Sequence, residues 1–64
     1  MTKEQQNKID SIIERHKPDD TCILQDINGA GILGLPSHWV LLELQWEGGK
    51  CYQYGISPEG DSHT

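Results

Sequence analysis

With 64 residues, the chain is one domain, and a domain of this size buries only roughly 60% of the surface its unfolded chain exposes. Its formal net charge of −5, from five Lys and Arg against ten Asp and Glu with no basic patch, argues against direct nucleic-acid binding, where cations on phosphate dominate affinity. Its two cysteines are too few and too far apart for a secreted disulfide scaffold.

No metal and no cofactor is expected, because Cys22, Cys51, His16, His38 and His63 lack the close spacings of zinc ligands. The first eight residues are polar, and no apolar run approaches the roughly 20 residues of a bilayer span, so the expected location is the cytoplasm, without membrane contact.

In chain order, Thr2 followed three residues later by Gln5 matches a capping box. Ile9, Ile12, Ile13 and His16 then recur at the helical period, and Pro18 disfavours helical geometry at Lys17. This predicts an amphipathic helix over 3–16. A strand is predicted over 22–27. Asn28-Gly29, a strong hairpin signal, then predicts a return strand over 30–35. Cys22, Leu24, Leu33 and Leu35 would share its core face.

A second hairpin is predicted over 39–46 and 51–57, closed by a two-residue Gly48-Gly49 turn. That turn sets Trp46 opposite Cys51, Leu44 opposite Gln53, Leu42 opposite Gly55 and Glu47 opposite Lys50. The tail 58–64 has no apolar anchor and is expected to fray. The fold class that follows is α+β, with one N-terminal helix packed on a four-stranded antiparallel meander.

In that register Val40, Leu42, Leu44, Trp46 and Cys51 form the inner face, which the helix covers. The opposite face carries Leu41, Glu43, Gln45, Tyr52, Tyr54 and Ile56. Two phenols and two aliphatics with few charges have the composition of a protein interface, so these six are the candidate binding residues.

No catalytic arrangement is specified by spacing. His38, Glu43, Glu47, Ser57 and His63 are ingredients only, and Cys22 and Cys51 read as small core residues rather than nucleophiles. Gly29-Ala30-Gly31-Ile32-Leu33-Gly34 is a literal G-x-G-x-x-G, but the dinucleotide fingerprint needs a helix opening at the glycines, and Pro36 follows instead.

The reading is a small acidic, non-enzymatic adaptor or inhibitor that binds another protein, or itself as a homodimer, through a sheet face or edge. The alternatives are a nucleotide or small-molecule binder using Gly29 to Gly34, and an enzyme assembled across an oligomer interface.

Overall fold

The computed structural model describes residues 1–64. Helix α1 spans Lys3–His16 and opens with the capping box. The Gln5 N–H donates to Thr2 Oγ1 at 3.1 Å, and Gln5 Oε1 accepts from the Thr2 N–H at 2.8 Å, which satisfies two donors the first turn leaves orphaned. Lys17 ends the helix in the left-handed region at φ 47°, its N–H returning to the Ile13 carbonyl at 2.8 Å.

Four antiparallel strands follow: β1 (Asp20–Gln25), β2 (Val40–Gln45), β3 (Cys51–Ile56) and β4 (Ser62–His63), in the order β1-β2-β3-β4. The architecture is therefore the expected α+β arrangement of one helix on a four-stranded antiparallel sheet. Its strands are not all the expected ones.

Residues 30–35 form no strand, and β1 pairs directly with β2, from Asp20 opposite Gln45 to Gln25 opposite Val40. Asp26 is the physical reason. Its carboxylate gathers the N–H groups of Gly29 at 2.9 Å, Gly31 at 2.8 Å and His38 at 2.7 Å, so the chain from 29 to 38 wraps around this side chain instead of returning along β1. Leu33 and Gly34, at φ 48° and 83°, then turn the chain again, closed by the Leu35 N–H on the Ile32 carbonyl at 2.8 Å.

The β2–β3 hairpin differs from expectation by one residue. The Gly49 N–H meets the Trp46 carbonyl at 3.2 Å and the Trp46 N–H meets the Lys50 carbonyl at 2.9 Å, giving a three-residue loop of Glu47, Gly48 and Gly49. Gly48 and Gly49 stand at φ 97° and 89°, which a side chain would resist. Leu44 consequently faces Tyr52, Leu42 faces Tyr54 and Val40 faces Ile56. A slip of one moves every β3 side chain to the other side of the sheet.

The inner face therefore carries Val40, Leu42, Leu44, Tyr52, Tyr54 and Ile56, with α1 packed over β2 and β3. Ile9, Ile12, Val40, Leu42, Leu44 and Ile56 form the core, and Ile13, Trp46 and Tyr54 pack at its margin. Leu44 lies on the expected inner face. Cys51 does not: the register carries it to the outer face, where it is exposed, as is Cys22.

The tail is ordered rather than frayed. Its anchors are main-chain groups, which a search for apolar residues overlooks. Ser57 N–H donates to the Asp61 carbonyl and Gly60 N–H to the Ser57 carbonyl, both at 2.9 Å, and β4 then pairs with Gly55 and Ile56. The Pro58 carbonyl accepts from the Thr2 hydroxyl at 2.8 Å, tying this turn to the start of α1.

Candidate functional site

The six residues proposed for a shared binding face are divided by the register. Leu41, Glu43 and Gln45 lie on the outer face, whereas Tyr52, Tyr54 and Ile56 turn inward. Ile56 is fully buried, and the Tyr54 hydroxyl pairs with His16 Nε2 at 3.2 Å beneath the end of α1. Tyr52 remains accessible only at the hairpin end, where its ring stands edge-on to Trp46 and under the Lys50 ammonium, 5.1 Å from the ring centre. No continuous tyrosine patch exists.

The outer face has a covered half and an open half. Gly55, lacking a side chain, receives the 26–39 connection: a Cβ there would stand 2.9 Å from Leu35 Cδ2 and 3.3 Å from Trp39 Cε3. Trp39 in turn packs on His63, with ring centres 5.2 Å apart, so Leu41 is buried. Beside this lid a shallow groove of about 230 Å³ runs between Leu33, Leu35, Leu41 and Gln53.

The open half is organised around Glu43. Its carboxylate accepts from Gln53 Nε2 at 2.8 Å and from Gln45 Nε2 at 2.7 Å, bonds that hold its pKa below the ordinary glutamate value. Local desolvation by its neighbours, reinforced by the Glu43 charge, pushes the Cys51 thiol up, away from the thiolate a nucleophile needs.

At the edge of this sheet, β1 is exposed along its whole length. Ile23 on the inner side and Leu24 on the outer side keep 39% and 43% of their surface, because α1 lies over β2 and β3 and the 26–39 connection lies over Gly55. Ile27 and Leu33, at 91% and 74%, extend the apolar exposure into the connection.

Antiparallel pairing alternates mutual and open pairs, and the Trp46–Lys50 bond fixes the phase. β2 directs the main-chain groups of Val40, Leu42 and Leu44 to β3 and those of Leu41, Glu43 and Gln45 to β1. On β1, Asp20, Cys22 and Leu24 answer, leaving Thr21, Ile23 and Gln25 pointing their N–H and C=O groups outward. The Thr21 N–H accordingly turns to the Asp20 carboxylate at 2.9 Å rather than to β2.

The glycine segment has a different use from the one its spelling suggests. The anion cradled by Gly29 and Gly31 is Asp26 of the same chain, so those amides are occupied. No three His, Cys, Asp or Glu side chains converge as metal ligands would. No helix is long and apolar enough to cross a membrane. Comparisons with protein-family models, curated proteins and solved structures returned no match.

The signal for this edge was present in the sequence as Cys22-Ile23-Leu24, an apolar run without Lys or Pro. It was obscured by the Asn28-Gly29 dipeptide, which assigned the run a partner strand it does not have.

Proposed function

We propose that this domain is a small acidic, non-enzymatic protein-binding module, an adaptor or inhibitor, that works by strand addition at the β1 edge. The observation that carries this reading is that β1 exposes apolar side chains on both faces while its outward main-chain groups have no partner strand. Edges of this kind template pairing, and soluble proteins ordinarily blunt them with lysine, proline, a bulge or a covering segment. An added strand gains main-chain hydrogen bonds from such an edge and specificity from the alternating side chains beside it. The open half of the outer face, around Glu43 and Gln53, adjoins the edge and supplies polar contacts. We further place the protein in the cytoplasm, where the exposed thiols of Cys22 and Cys51 stay reduced.

The test is a photo-crosslinking residue at position 23, compared with one at Glu14 on the exposed side of α1, each used in cells that produce the protein. Crosslinks to a defined protein from position 23 and not from position 14 are expected. Crosslinking from position 14 alone would move the binding surface to the helix and overturn the reading.

A further inference from the structure

The main-chain groups of Thr21, Ile23 and Gln25 that point outward are spaced symmetrically about Ile23. Two copies of β1 set antiparallel about that residue bring each outward group against an outward group of the other: Thr21 against Gln25, Ile23 against Ile23, Gln25 against Thr21. Three mutual pairs make about six inter-chain hydrogen bonds, two of which form as the Thr21 N–H of each copy exchanges its own Asp20 carboxylate for the Gln25 carbonyl of the other. The side chains agree with the same register. On the inner face the two Ile23 side chains meet, and on the outer face Cys22 of one copy meets Leu24 of the other.

Charge permits pairing along the middle of the strand and opposes it over the whole molecule. The five cations, Lys3, Lys8, Arg15, Lys17 and Lys50, all lie off β1, so no lysine guards the edge and no charged residue stands within 21–25. Asp20 and Asp26 flank this uncharged stretch, and each copy carries a net charge of −5, so two copies repel as wholes. α1 lies over β2 and β3, so it leaves the inner side of β1 open to a second sheet.

Resting on the edge reading above, we propose that the strand β1 accepts is β1 of a second copy of this chain, joining two sheets into one of eight strands about a two-fold axis that passes between the two Ile23 residues. A six-residue strand is only about 20 Å long, so the contact sits at the small end of protein interfaces and the dimer forms in a concentration-dependent way. Salt screens the repulsion between copies, so the dimer is stronger in high salt. A foreign basic strand would bind this acidic protein more weakly in high salt, which gives the two occupants opposite signatures.

Sedimentation equilibrium over a concentration series, at low and high salt, tests the proposal. The wild-type average mass should climb toward that of two chains, and further in high salt. Ile23→Lys sets two ammonium groups opposite each other on a half-exposed site and should raise the dimer dissociation constant by about tenfold or more. Ile23→Pro, which deletes an outward N–H and spares the β1–β2 ladder, should do the same should the lysine variant melt early. Ile27→Lys, off the strand, should behave as wild type. In a Cys51→Ser background, Leu24→Cys should give a disulfide-linked dimer on mild oxidation, because position 24 of one copy faces Cys22 of the other.

A single-chain mass at every concentration and salt, or dimers untouched by both Ile23 variants, overturns self-pairing. If the mass stays single while position 23 still crosslinks a different protein, the edge reading survives without the homodimer. If position 23 captures neither, both fall.

Discussion

Leu44 has no exposed surface and faces Tyr52 across the hairpin, inside a core of only six apolar side chains. Leu44→Ala should cost about 2–5 kcal/mol, read by chemical denaturation, because the site can collapse only partly around the cavity. Asp26 holds a different part of the molecule. Hydrogen bonds from His38 first, then Gly31 and Gly29, keep its carboxyl below the ordinary aspartate value of 3.8. A depressed native pKa stabilises the fold above the unfolded pKa, and that contribution disappears as pH falls through the native one. Melting temperature should therefore drop below pH 3.8 in the wild type. Asp26→Asn should melt lower at neutral pH and lose less on acidification, with Glu43, also depressed, supplying the remaining slope.

Between Trp46 and Lys50, one residue of loop length decides which side of the sheet every residue of β3 occupies. Gly49 has open space around its Cα, so Gly49→Val tests backbone geometry alone: at φ 89° a β-branched residue should cost about 1–3 kcal/mol by denaturation. A wild-type melting curve would show that the loop does not need the left-handed region. The same residues explain what the sequence could and could not convey. The helix was readable to its last residue, because the Thr2–Gln5 box, the isoleucine stripe and Pro18 are local signals that agree with one another. The hairpin was readable as an element, but Gly48-Gly49 suits a two-residue turn and a three-residue loop equally well. The candidate face failed with the register, since Tyr52, Tyr54 and Ile56 changed sides together. The 30–35 segment failed for a longer-range reason. Asn28-Gly29 does turn the chain, but His38, twelve residues from Asp26, completes the carboxylate's bonds, and no local pattern announces that partner.

For the molecule as a whole, stability on the scale of small domains, roughly 0.05–0.15 kcal/mol per residue, leaves little reserve, and much of the holding is done by polar groups. Gln5 is the clearest instance. With only 1% of its surface exposed, it donates to the His38 carbonyl at 2.9 Å and the Ile56 carbonyl at 3.2 Å, joining α1, the long connection and β3 at one amide. The connection it helps to fix also bears on how the protein ages. Asn-Gly is the dipeptide most prone to deamidation, a slow chemical clock in which the glycine nitrogen attacks the asparagine side chain to form a cyclic imide, and asparagine is accordingly a heat-labile residue. Here the attacking nitrogen, that of Gly29, has its hydrogen held by Asp26, and its φ is fixed at 74°. The folded protein should therefore keep Asn28 intact far longer than a peptide of the same sequence. Peptide mapping after prolonged warm incubation should find isoaspartate at position 28 accumulating faster in Asp26→Asn than in the wild type, so that the carboxylate which denies residues 30–35 a strand also sets the shelf life of the chain.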